Sequence, residues 1–143
     1  MKKIITLFTL CLIFFSCSDN GFKNNNPYIP NYNFSTTLNL AFYQNLTYPG
    51  GTIYYSGVDV GPKGIFIINT TGTDYNAFDA ACPNQSSTSC TNRLTLDTDK
   101  ISLKCSCGNE KYNLYTGQSN LQYPLKQYRV EVSGDRKYIT IYN

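Results

Sequence analysis

Six cysteines and no histidine frame the chemistry open to this chain. Four of the six, Cys82, Cys90, Cys105 and Cys107, fall close together in its second half. Thiols in such a group can do three things. They can close disulfides, and four sulfurs allow three connectivities. As thiolates they can grip zinc or an all-cysteine [2Fe–2S] cluster, although Cys105-Ser106-Cys107 is tighter than the Cys-x₂₋₄-Cys spacing usual at zinc sites. Or Cys105 and Cys107 can act as a redox-active dithiol, which needs a thiol of lowered pKa; the charges near it are Lys104, Glu110 and Lys111. Other chemistry has little to work with. No imidazole is present to activate a serine or cysteine, and the 9 acidic residues form no evident catalytic pair. The glycines sit in turn contexts, not in a phosphate-binding loop. No catalytic residue is assigned, and the expectation is a protein that is not an enzyme.

The compartment decides among these options, and the N-terminus speaks to it. Met1-Lys2-Lys3 is a basic start, and Ile4 to Phe15 is an apolar run too short to span a bilayer as a helix. The run stops at Phe14-Phe15-Ser16-Cys17. A small residue followed by Cys resembles the lipobox of bacterial lipoproteins, which implies that residues 1–16 are a signal peptide and that Cys17 is acylated. Acyl chains add ~0.8 kcal/mol of membrane affinity per buried CH₂, so several of them anchor stably. Cys11, inside the apolar run, reads as one more small apolar residue of the signal. Residues 17–35, rich in Asn and carrying Pro27 and Pro30, are expected to be a flexible tether. The expected location is the bacterial cell envelope, lipid-anchored at the outer membrane. The membrane is then one partner, and an unidentified protein the other. Outside the inner membrane the surroundings are oxidising, so an even set of cysteines reads first as disulfides and no cofactor. Zinc or a [2Fe–2S] cluster on Cys82, Cys90, Cys105 and Cys107 is the alternative.

Length and patterning supply the scaffold. A chain of 143 residues suits one domain with a core of its own. With the signal removed, Lys2 and Lys3 go too, leaving 10 basic residues against 9 acidic ones, a balance that excludes nucleic acid as an expected partner. Thirteen tyrosines and no tryptophan, in segments broken by Gly, Pro and Asn, read as β structure. Strands are expected at Leu38–Phe42, Thr52–Tyr55, Ile65–Ile68, Tyr75–Ala80, Leu94–Leu96, Ile101–Leu103, Gln127–Val132 and Lys137–Tyr142. Turns are expected at Pro49-Gly50-Gly51, Gly61–Gly64, Asp97–Lys100 and Ser133–Asp135. Tyr54, Tyr55, Tyr112 and Tyr115 could form a binding face, but packing on half-buried strands is their more ordinary role.

The stretches Tyr75–Asn84 and Lys104–Gly117 resemble the two cluster-binding loops of Rieske iron–sulfur domains, which carry Cys-x-His and Cys-x-x-His. Pro124-Leu125-Lys126-Gln127-Tyr128-Arg129-Val130 is similar to the segment that follows those loops. The resemblance covers Leu38 to Tyr142. It implies an all-β fold: an antiparallel β sandwich or barrel base, residues 36–81 and 118–143, bearing a small loop-rich subdomain, residues 82–117, within a domain of residues 36–143. By position Cys82 and Cys105 match the two thiolate ligands. Asn84 and Gly108 stand where the family has its two histidines. A Rieske centre holds one iron through two imidazoles, so the resemblance implies a degenerate member with no ordinary cluster. It also implies bridges Cys82–Cys105 and Cys90–Cys107, since the two thiolate ligands are neighbours in the family and a disulfide often links its loops. The reading is a non-catalytic interaction or structural module. Electron transfer through an atypical cluster, as a partner of oxidoreductases, is the first alternative, and thiol–disulfide exchange the second.

Overall fold

The computed structural model describes residues 25–143; the signal peptide, Cys11 and Cys17 lie outside the described residues. Nine strands follow in order: β1 (Ser35–Asn39), β2 (Thr52–Tyr55), β3 (Ile65–Asn69), β4 (Tyr75–Asp79), β5 (Thr95–Leu96), β6 (Ser102–Lys104), β7 (Lys111–Asn113), β8 (Gln127–Val132) and β9 (Tyr138–Tyr142). They make two sheets, one of six strands in the order β1-β9-β8-β4-β3-β2 and one of three in the order β5-β6-β7. Every pairing is antiparallel. The fold is all-β, with a large base sheet and a small sheet set within the cysteine-bearing segment.

Strand β3 explains why the two parts cohere. All five of its residues are buried. Its side chains alternate in direction, as a period of two requires. Phe66 and Ile68 join a core with Phe78, Leu94, Leu103, Tyr112 and three of the cysteines. Ile65 and Ile67 join a second core with Leu38, Leu46, Ala77, Tyr128, Ile139 and Ile141. The base sheet is therefore covered on one face by the small sheet and on the other by its own curled edge, β9 and β1. Each fully buried Ile or Phe of β3 contributes about 1.5–3 kcal/mol by leaving water. A continuous apolar run is what a strand covered on both faces needs.

Three expectations change. The first expected strand stops at Asn39, and Leu40–Phe42 forms a 3₁₀ turn. The Asn39 side chain accepts the Ala41 amide and so turns the chain out of the ladder. Leu40 stays in the core while Phe42 is 81% exposed. The second concerns the tether. Residues 25–34 pack on the domain, so the described half of the segment expected to be flexible is bound in place. Asn26 is buried and donates to the Pro83 carbonyl at 2.8 Å. Ile29 is buried, and the rings of Phe34 and Tyr128 meet edge to face at 4.8 Å between centroids. Composition hid this docking because it uses single apolar residues and short amide side chains instead of a periodic face.

Strand β7 lies inside the segment read as a loop from the sequence. Its central Tyr112 is fully buried between two exposed neighbours. Three residues are too few to show an alternation.

Candidate functional site

The four cysteines come from three turns that the two disulfides bring together. Strand β4 delivers the first. Past Asp79 the chain leaves the sheet, held by Ala80 N donating to the Gly64 carbonyl at 2.9 Å and by Ala81 N donating to Asp79 Oδ1 at 2.7 Å. Cys82 follows at once. The polar loop after it turns back through Cys90 N donating to the Ser86 carbonyl at 2.8 Å, which sets Cys90 beneath the loop. The β6–β7 hairpin delivers the other two. Cys105 N donates to the Glu110 carbonyl at 2.9 Å, and Asn109 N to the Cys105 carbonyl at 3.0 Å. Asn109 takes a left-handed φ of 62°, a conformation Asn tolerates better than most residues.

Cys82 is bonded to Cys105 and Cys90 to Cys107, with Cα–Cα separations of 5.8 and 5.7 Å. Cys105 and Cys107 are therefore not a pair with each other; the tight Cys-x-Cys turn reaches two different partners. Cys82, Cys90 and Cys105 are 2%, 1% and 0% exposed and belong to the core shared by the two sheets. Cys107 is exposed. The bridges touch. Cys90 Sγ lies 3.6 Å from Cys82 Sγ and 3.9 Å from Cys105 Sγ.

The two positions that match histidines in the resemblance are occupied otherwise. Asn84 is bonded on every side. Its Nδ2 donates to Tyr112 Oη at 2.9 Å and to the Tyr123 carbonyl at 2.7 Å, and its Oδ1 accepts the Tyr123 amide at 3.1 Å. It ties the first cysteine loop to the segment that returns to β8. Gly108 offers no donor, and a side chain there would run into the Glu110 carboxylate. Glu110 Oε1 in turn accepts Gln85 Nε2 at 2.7 Å, a bond between the first and second loops.

Beneath the loops lies a polar group that sequence reasoning missed. Asp79 and Lys126 are both buried, at 0% and 1% exposure. Tyr128 Oη donates to Asp79 Oδ2, and Lys126 Nζ donates to the Pro30 carbonyl at 2.8 Å and to Asn31 Oδ1 at 2.9 Å. Burial pushes the Asp79 carboxyl up to about 6, against the pull of Tyr128, the Ala81 amide, Lys126 and Lys63. Burial likewise holds the Lys126 ammonium below its usual range, with Asp79 opposing. A polar residue closing an apolar strand, Phe78-Asp79, was the one hint available.

Lys63 reaches over the first loop. Its ammonium donates to the Cys90 carbonyl and, at 3.0 Å, to the Asn92 carbonyl. Burial lowers its pKa, and the nearby Asp79 works the other way. Lys63, Cys82 and Cys90 line a cavity of about 70 Å³ roofed by Tyr28, Pro30 and Tyr32 of the docked N-terminal segment. Of the tyrosines read as a possible binding face, Tyr112 is core. Tyr54 is covered by the Arg93 guanidinium, 3.9 Å from its ring centroid, and Tyr55 and Tyr115 pack against the two cores. Among the described residues no helix is long and apolar enough to cross a membrane.

No protein-family model matches the chain, and no curated protein matches it. Among solved structures the chain is similar to the cyanobacterial plasma membrane Rieske protein PetC3 from Synechocystis PCC 6803, with a TM-score of 0.46 and 18% sequence identity over 59% of this chain and 82% of that one. That degree of likeness assigns no role to any residue.

Proposed function

We propose that this chain is a lipid-anchored, Rieske-like β domain of the bacterial cell envelope whose tip is fastened by disulfides in place of a cluster, and that it acts as a non-catalytic interaction or structural module. The observation that carries this reading is the donor set at the tip. Two imidazoles are needed to complete a Rieske centre, and the chain has no histidine. Asn84, at the first imidazole position, already spends its amide on Tyr112 and Tyr123. Gly108, at the second, has nothing to offer and is crowded by Glu110. The residues present do not fit a His-ligated cluster. Cys82 and Cys105, which would share one iron, share a bond instead.

Metal and acid-labile sulfide analysis of the purified protein, with its visible spectrum, tests the reading. The expected result is a colourless protein without stoichiometric iron. A brown protein with near-stoichiometric iron and sulfide overturns it. The anchor is tested separately: a labelled fatty acid should enter the wild-type protein and not a Cys17→Ala variant.

A second reading, metal or cluster binding through cysteines alone, is favoured by one observation. The sulfurs of Cys82, Cys90 and Cys105 all lie within 4.8 Å of one another. It requires thiolates, so zinc or iron should then appear only in protein handled under reducing conditions.

A further inference from the structure

Three of the four disulfide sulfurs are packed against one another in the core. Cys90 Sγ stands 3.6 Å from Cys82 Sγ and 3.9 Å from Cys105 Sγ, nearly equidistant from the two ends of the neighbouring bond. Access is unequal. Cys82, Cys90 and Cys105 are buried, whereas Cys107 is exposed on the hairpin turn. A reductant from solution therefore meets the Cys90–Cys107 bond first and meets it at Cys107. The inner bond is shielded from direct attack but lies beside the one sulfur that this attack sets free.

We propose that the tip is a thiol–disulfide exchange centre in which Cys107 receives a dithiol and Cys90 carries the exchange inward to the Cys82–Cys105 bond. This goes beyond the module reading and rests only on the positions of the sulfurs. The reductant is a dithiol, either small or carried on a protein. Its first thiolate attacks Cys107 Sγ, the Cys90–Cys107 bond breaks, a mixed disulfide forms on Cys107, and Cys90 leaves as a thiolate. Cys90 lies abreast of the inner bond, and release from Cys107 lets its side chain turn into line. It then attacks Cys82 or Cys105. A bond forms from Cys90 to the sulfur attacked, the Cys82–Cys105 bond breaks, and the other sulfur leaves as a thiolate that takes up a proton. The second thiol of the dithiol, as thiolate, displaces Cys107 from the mixed disulfide. In sum the dithiol becomes a disulfide, and the protein gains two electrons and two protons.

The backbone that carries Cys90 is held in place: the Lys63 ammonium donates to its carbonyl. Lys63 and the cysteines 82 and 90 also line the same small cavity. Exchange runs through a thiolate attacking a disulfide sulfur within reach, and close approach is what these sulfur positions supply.

The test treats the folded full chain with one equivalent of dithiothreitol, quenches it with an alkylating agent at acid pH, and maps the remaining bond by peptide mass spectrometry. The expected partly reduced species has Cys90 bonded to Cys82 or Cys105, with label on Cys107 and on the displaced cysteine. Label on Cys90 and Cys107 with Cys82–Cys105 intact overturns the proposal, as does loss of both bonds together without an intermediate. A Cys90→Ala/Cys107→Ala variant gives a second reading of opposite sign. Without the relay its inner bond should be reduced roughly tenfold more slowly than in wild type. If the outer bridge merely stabilises the fold, its removal should leave that rate unchanged or raise it, which also overturns the proposal. Should the variant not fold, the mapping on the wild-type chain decides alone.

Discussion

Tyr128 Oη donates a 2.6 Å hydrogen bond to Oδ2 of Asp79, and both side chains are shut away from water beneath the first cysteine loop. The other carboxylate oxygen of Asp79 accepts the amide of Ala81, one residue before Cys82. The same strand junction takes the Asp79 amide to the carbonyl of Lys126, whose ammonium pins the N-terminal segment. One buried carboxyl thus links the exit of β4, the start of β8 and the approach to the disulfides.

Asp79 should make stability fall as pH rises through the mildly acidic range. Its pKa is raised from 3.8 to about 6, mainly by burial, so the folded state holds the proton more tightly than the unfolded chain does. The stabilisation is complete below the unfolded value and is lost as pH climbs through about 6, an effect of roughly 3 kcal/mol for a two-unit shift. Asp79→Asn keeps an acceptor for the Ala81 amide and can donate to Tyr128 Oη. Thermal melts between about pH 4.5 and 6.5 should decline for wild type and stay flat for this variant. Parallel curves for the two would show that Asp79 does not titrate there.

Removing the inner bridge should cost more than removing the outer one. Either loop closure is worth on the order of 3 kcal/mol. Both residues of the inner bridge fill space in the shared core, whereas the outer bridge places only Cys90 there and leaves Cys107 exposed. Cys82→Ala/Cys105→Ala therefore adds a cavity cost of about 1–2 kcal/mol to the loop term. Cys82→Ser and Cys105→Ser should be destabilised alike, because each breaks the same bond. Urea unfolding of these three variants and of Cys90→Ala/Cys107→Ala checks the order, and unequal effects of the two serine variants would count against that bond as the common cause.

Asn84→Ala should destabilise the tip by about 2 kcal/mol, since it strands a buried tyrosine hydroxyl and both backbone groups of Tyr123. Tyr112→Phe should cost less, about 1 kcal/mol, because Asn84 keeps its bonds to Tyr123. Denaturant midpoints at unchanged slope measure both. An Asn84→Ala variant as stable as wild type would remove the structural role assigned to this residue.

Lys126→Met should loosen the N-terminal segment while leaving both disulfides formed. The variant keeps the apolar stem and loses the two hydrogen bonds to Pro30 and Asn31. Limited proteolysis within residues 25–34 should accelerate roughly tenfold, as expected for losing hydrogen bonds made by a charged group. Unchanged cleavage would mean that Asn26, Ile29 and Phe34 hold the segment without help.

What the sequence determined by itself was local or a matter of inventory. The alternation in Gln127–Val132 and the apolar run Ile65–Ile68 mark strands because a period of two needs only neighbouring residues to be seen. The lack of imidazole is composition, and no arrangement of the chain can supply a missing donor. Only the tertiary structure decided which groups meet. Asp79 finds Tyr128 across 49 positions, Asn26 finds Pro83 across 57, and Lys126 finds Pro30 across 96. None of those partners leaves a periodic trace, since each contact is a single polar pair fixed by how the sheets stack. The sulfurs make the same point. Their number could be counted from the start, but that Cys90 lies against both ends of a second disulfide follows only from three turns converging on one core.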